Sequence, residues 1–143
     1  MKKLTTNLMI ATAALVVVAG VASAQSMTAS IPFEFRAGHQ VMAPGTYRID
    51  NLSTQTGVPI YRLLDLHSLR SIAVLPQAPV DPRTAWTASA DGKLVFACAS
   101  GSCALTEIWD GHRSQAYTLP SPKLSQDVTA VLREIPMQPG KGE

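Results

Sequence analysis

The sequence carries little of what catalysis usually leaves in a chain. Its 143 residues hold no G-x-S-x-G, no H-E-x-x-H and no glycine-rich phosphate loop, so the common hydrolase, zinc-protease and nucleotide signatures are missing. Histidine is scarce: His39, His67 and His112 are the whole set, each beside polar residues where a turn is expected. His112 stands near Asp110 and Ser114, but triads are recognised by geometry and not by proximity along the chain. Solvated turn residues are the preferred reading of all three. A glycosidase pair would have to come from Glu34, Glu107 and scattered aspartates. Charge is sparse at 15%, and the seven arginines are spread from Arg36 to Arg133. Nucleic-acid binding needs clustered phosphate contacts, so no nucleic-acid partner is expected. Nothing in the sequence calls for a cofactor or a metal.

What is present begins at the N-terminus. Met1-Lys2-Lys3 is basic, an apolar run follows from Leu8 to Val18 and on through Val21, and Ala22-Ser23-Ala24 precedes Gln25. A basic start, an apolar stretch and a small-x-small triplet together form the three-part secretory signal. The expectation is a cleavable signal over 1–24, cut between Ala24 and Gln25. The rival is an uncleaved anchor, because the stretch from Leu8 to Ala24 reaches the lower limit of ~17–25 residues for a span. The triplet favours cleavage. No cysteine sits at the cut to carry a lipid, and no later segment is long enough to span a membrane.

Cleavage would leave one domain-sized chain, 25–135 with a flexible tail over 136–143. Lys2 and Lys3 leave with the signal, so the mature chain would carry 12 − 2 = 10 basic against 10 acidic residues. The expected location is periplasmic or secreted.

Two cysteines remain, Cys98 and Cys103. An even count in an exported chain favours a disulfide. Leu94 to Cys98 reads as one strand, Ala99 to Ser102 as a turn, and Cys103 to Trp109 as the return strand. In the simple register Cys98 faces Cys103 and Phe96 faces Leu105, sharing one side with Leu94 and Trp109 and interrupted by Glu107. A hairpin staple is preferred over a redox pair, which usually has C-x-x-C spacing, and over a zinc site, which needs two more ligands.

Elsewhere, alternation of apolar and polar residues dominates. Ser30 to Arg36 alternates, with Ile31, Phe33 and Phe35 on one side. Thr46 to Leu52 alternates again around Tyr47 and Ile49. Pro59 to His67 reads as a strand buried on both faces at its middle, followed by Ser71 to Leu75. Pro76, Pro79 and Pro82 suggest a crossing between sheets. Thr84 to Ala90 is strand-like around Trp86, Asp91-Gly92 marks a hairpin, and Asp110-Gly111 precedes a last strand over Ser114 to Leu119. The spacing predicts a mainly β fold: an antiparallel sandwich or small barrel of about eight short strands. Val128, Val131, Leu132 and Ile135 recur at helical spacing behind Ser125 and Asp127, which predicts a short C-terminal helix; a final strand over Thr129 to Ile135 is the rival.

Ile31-Pro32-Phe33-Glu34-Phe35, Gly38 and Met42-Ala43-Pro44-Gly45-Thr46-Tyr47-Arg48-Ile49, with Leu94-Val95-Phe96 and Leu105-Thr106-Glu107-Ile108-Trp109, carry a resemblance. The chain resembles short exported bacterial proteins that open V-P-F-x-F…G…L-P-A-G-x-Y-x-V and carry a later L-V-F…L-x-x-I-W. It departs in Ala43-Pro44-Gly45 and in the cysteine pair. The resemblance implies a fold type and export, not a reaction.

The expected role is therefore structural or binding, toward a protein or carbohydrate partner in the cell envelope. Trp86, Trp109 and Tyr117 are the candidate binding aromatics, as a cleft or stacking platform. With so few aromatic residues the core also needs them, and filling the core is the stronger expectation. A secreted hydrolase is the alternative. A third arrangement, strand addition at an open sheet edge, requires an unpaired apolar edge strand.

Overall fold

The computed structural model describes residues 26–52, 59–89, 91–121 and 129–140; the proposed cleavage site at Ala24 and Gln25 lies outside them. The alternation seen in the sequence decides the fold. β1 (Ser26–Ile31) buries Met27, Ala29 and Ile31. β4 (Gly45–Asn51) buries Tyr47 and Ile49, and β5 (Tyr61–Asp65) buries Tyr61, Leu63 and Asp65. Successive side chains in a strand point to opposite faces, so each of these segments hides one side.

The remaining strands are β2 (Phe35–Ala37), β3 (Gln40–Met42), β6 (Ser71–Val74), β7 (Ala78–Val80), β8 (Gly92–Ala99), β9 (Ser102–Trp109), β10 (Ala116–Thr118) and β11 (Val131–Pro139). They run in the order β3-β2-β9-β8-β11-β1-β4-β5-β6, with β10 joined to β9 and β7 to β10. The fold is mainly β, a nearly closed, barrel-like sheet of eleven short strands. β6 passes into β7, which pairs β10 on the outer edge of β9, and so brings the end of the sheet back toward its start. Among the described residues only β2 on β9 is parallel, through Phe35 with Cys103 and Arg36 with Ala104.

The interior is built on Phe35, Tyr47 and Phe96, which meet edge to face at 5.2 and 5.3 Å between ring centroids. Ile31, Ile49, Leu63, Leu94, Leu105 and Ile108 fill the space around them. Each such side chain contributes about 1.5–3 kcal/mol on full burial. Cys98 and Cys103 are bonded and directly opposite in the β8–β9 ladder, as the hairpin reading expected.

A bulge then changes the register. Phe96 faces Leu105, but Val95 faces Glu107 and Leu94 faces Ile108, leaving Thr106 as the extra residue on β9. Ile108 therefore enters the main core, whereas Trp109 and Glu107 turn outward with Val95. The simple register put Glu107 among the Leu94 and Phe96 side chains; the bulge removes that conflict.

Other expectations need correction. The strand expected over Ser30–Arg36 breaks at Pro32, which lacks a ladder donor, so the chain leaves β1 and re-enters the sheet as β2; this split helps raise the count from about eight strands to eleven. β5 is buried on one face only, because Arg62 and Leu64 turn outward. The proline-rich crossing contains β7, with Pro79 inside it; β7 pairs only β10, so its missing donor breaks no second ladder. The strand expected around Trp86 is a single helical turn, α1 (Thr84–Thr87), and no hairpin forms at Asp91-Gly92. Gly92 instead opens β8 where a Cβ would stand 2.9 Å from the Trp109 carbonyl oxygen.

The C-terminal helix is not formed over the residues described. Val131, Leu132 and Ile135 lie in β11, which fills the slot between β8 and β1. The ladder with β8, continued by Gln138 and Pro139 against β1, outweighs a weak helical pattern. Ser125, Asp127 and Val128 lie outside the described residues. The tail expected over 136–143 is ordered where it is described: Pro136 to Pro139 belong to β11, Met137 is buried opposite Gly92, and the Gly140 amide donates to the Ser26 carbonyl at 2.8 Å; residues 141–143 lie outside the described residues.

Candidate functional site

The aromatic candidates do not form an open platform. Trp86 and Trp109 are 2% and 3% exposed and stack on each other at 6.0 Å, with Val95 and Ala116 beside them. This is a second, small core on the outer face of the barrel, roofed by α1. Both indole N–H groups are used: Trp86 donates to Glu134 Oε2 at 3.1 Å, and Trp109 donates to the Arg113 carbonyl at 2.8 Å. Arg83 lies over the Trp86 ring at 4.9 Å, pairs with Glu107 at 3.2 Å and also bonds Glu134. Glu107 is thus an ion-pair partner at the rim of this small core. Tyr117 is half-buried and packs against the main core.

The buried carboxylates are also committed. Asp50 accepts from Arg62 at 2.6 Å and from Arg48 at 3.3 Å. Asp110 accepts the backbone N–H groups of His112 and Arg113 at 3.0 and 2.9 Å and pairs with the Arg113 guanidinium. The trio of Asp110, His112 and Ser114 is therefore a turn, joined through the His112 backbone while its ring points to solvent. Tyr61 is fully buried and its hydroxyl has no hydrogen-bond partner among the described residues; burial, aided by the Asp110 carboxylate, pushes its pKa far above the ordinary tyrosine value. Among the described residues no three His, Cys, Asp or Glu side chains gather to hold a metal, and no helix is long and apolar enough to cross a membrane. The cleft where Arg36 and His39 meet Ser121 is about 300 Å³, and none of the described residues lining it is a carboxylate.

The feature that stands out is the β5–β6 hairpin. Its turn is organised by Asp65. The carboxylate accepts from the His67 N–H at 2.9 Å and the Ser68 hydroxyl at 2.9 Å, while the Asp65 carbonyl accepts the Leu69 N–H at 2.8 Å. The His67 backbone bond, then the Ser68 hydroxyl, hold the Asp65 carboxyl below the usual aspartate range. The Leu66 amide donates to the Thr46 carbonyl at 3.0 Å, which anchors the turn to β4.

This rigid turn displays apolar side chains. Leu66 is 42% and Leu69 71% exposed, and Leu75, just past β6, is 62% exposed. Leu69 has φ of 63°, the left-handed region, which a bulky residue adopts only when its surroundings impose it. Alternation did not single these residues out: Leu66 and Leu75 read as parts of the strand segments Pro59 to His67 and Ser71 to Leu75, and a leucine in a turn, as Leu69 is, carries no periodic signal. That no described strand pairs the far side of β6 is equally invisible in one sequence, since pairing is a tertiary outcome.

No family model, no curated protein and no solved structure matches this chain.

Proposed function

We propose that this chain is an exported β module of the cell envelope that works by binding a partner, with the β5–β6 hairpin as its contact surface. The observation that carries this reading is Leu69: a large apolar side chain held in water, on a strained backbone fixed by the Asp65 bonds. Strain kept at a surface turn costs on the order of 1–3 kcal/mol and persists where preorganisation is useful. Exposed leucines suit a protein surface. A carbohydrate partner would call for open aromatic faces, and those of Trp86 and Trp109 are covered. The basic start, apolar run and Ala22-Ser23-Ala24 support export, and the Cys98–Cys103 bond suits an oxidising compartment.

Two measurements test this. Expression of the full chain in a bacterial host, followed by intact mass of the envelope fraction, is expected to give a product starting at Gln25. A photo-crosslinking residue at Leu69 is expected to form adducts in living cells, and one at exposed Ser102, at the start of β9, is not. Retention of the first 24 residues in the cytoplasm overturns export; turnover on a substrate panel without adducts at Leu69 overturns binding.

A further inference from the structure

β6 has a free edge. It pairs with β5 alone, and no other described strand lies against its far side. In an antiparallel pair, residues alternate between pointing their backbone groups at the partner and away from it. The Asp65 amide bonds the Arg70 carbonyl, and Leu63 faces Ile72 and Tyr61 faces Val74. Arg70, Ile72 and Val74 are therefore the bonded partners of β5. Ser71 and Ala73 direct their N–H and C=O groups outward. Natural edges are guarded by charge, proline or a bulge; Ser71-Ile72-Ala73-Val74 has none of these.

The side chains around that edge have an internal symmetry. Leu69, Ser71, Ala73 and Leu75 are exposed, and Ile72 stands at the midpoint of the series. A two-fold axis through Ile72 sets Ser71 opposite Ala73 of a second copy, Ile72 opposite Ile72, and Leu69 at the level of Leu75. Small meets small and leucine meets leucine. Arg70 falls opposite Val74, so the two Arg70 side chains are offset by four residues, about 13 Å at 3.3 Å per residue. That exceeds the ~8–10 Å screening length in physiological salt, and like charges do not oppose the pairing.

We propose that the occupant of the β6 edge is a second copy of this chain, paired antiparallel about Ile72 to give one sheet running through both barrels. It rests on the binding role assigned above to the β5–β6 hairpin and names the partner. Each Ser71–Ala73 pair exchanges two backbone bonds, and Leu75 of each copy is brought toward the turn that carries Leu69 of the other.

Sedimentation of the protein purified after expression of the full chain tests this. The expected result is a concentration-dependent monomer–dimer equilibrium. Ala73→Pro removes an outward donor that β5 does not use, a change edge strands tolerate, and should weaken association by about tenfold or more. Where that variant loses its β-sheet circular dichroism, Leu75→Lys on the solvent face takes its place, with the same loss expected. Ile72→Cys should give a covalent dimer on a non-reducing gel, since a non-hydrogen-bonded pair brings Cα atoms to ~4.5 Å, within disulfide reach. A monomer up to about 1 mM, or a dimer indifferent to both Ala73→Pro and Leu75→Lys, overturns the proposal. Monomeric protein that still forms adducts at Leu69 in cells removes only the second copy as partner; the binding role then stands.

Discussion

Leu94 lies directly opposite Ile108 in the β8–β9 ladder. That pairing exists because Thr106 is looped out, its hydroxyl donating to the Val95 carbonyl at 3.2 Å and its own carbonyl taking the Leu119 amide at 2.8 Å. One extra residue flips everything beyond it, because side chains alternate with a period of two. The bulge thereby sends Ile108 to the main core, Trp109 to Trp86, and Glu107 to Arg83.

Deleting Thr106 should leave that sorting in place. With the extra residue gone, Glu107 follows Leu105 directly and falls opposite Val95, Ile108 opposite Leu94 and Trp109 opposite Lys93, the partners they have now. What is lost is the bond from the Thr106 hydroxyl to the Val95 carbonyl and the acceptor of the Leu119 amide, together about 1–3 kcal/mol. The expected outcome is a cooperative thermal transition by circular dichroism at a moderately lower temperature. A deletion variant without a cooperative transition would show that the looped-out residue does more than shift the register.

The same bulge marks the limit of what the sequence discloses. Tyr47, Ile49 and Phe96 were legible as inward residues because alternation there is uninterrupted, and the bonded cysteines followed from a strand–turn–strand reading. Trp109 was not, because a single looped-out threonine carries no signature that separates it from a regular strand residue. Val131 to Ile135 fits helical spacing, yet it pairs residue by residue with β8, while β1 takes Gln138 and Pro139 further along the same strand. The exposed leucines of the hairpin escaped for a third reason: a residue becomes notable there through exposure and backbone angle, and neither is written in composition or period.

Trp86→Ala should be costly although α1 is a single turn. The substitution removes the stacked partner of Trp109, the ring under Arg83 and a hydrogen bond to Glu134. Truncating a buried tryptophan typically costs about 3–5 kcal/mol. Urea unfolding should show that loss, and the fluorescence of Trp109 should shift to longer wavelength as water reaches its face. An unshifted spectrum with unchanged stability would mean that α1 does not seal the small core.

Asp65 links the hairpin to pH. Its folded-state pKa is depressed by the His67 amide and the Ser68 hydroxyl. A depressed carboxylate stabilises the fold above its unfolded pKa of about 3.9, and that contribution is lost as pH falls through the lower folded value. Stability should therefore decline on acidification below about pH 4, and Asp65→Ala should flatten this decline while lowering stability at neutral pH. Thermal melts of both proteins from neutral to strongly acidic pH give the answer. Parallel acid profiles would separate the turn from the titration.

The disulfide should act as a local clamp and not as the foundation of the fold. Its bond joins residues only five apart in sequence. Loop-closure entropy for so short a ring is worth about 2 kcal/mol, a fraction of the burial held by Phe35, Tyr47 and Phe96. The Cys98→Ser, Cys103→Ser double variant should remain folded and cooperative, with a lower urea midpoint. Its largest local effect is expected at β2, whose parallel pairing rests on Cys103 and Ala104. Hydrogen exchange should therefore quicken first at the Phe35 and Arg36 amides and in the β8–β9 turn, while Ile49 and Leu63 stay protected. Equal acceleration at Ile49 would mean that the staple supports the whole barrel, because β4 and β5 touch the clamp only through the shared core.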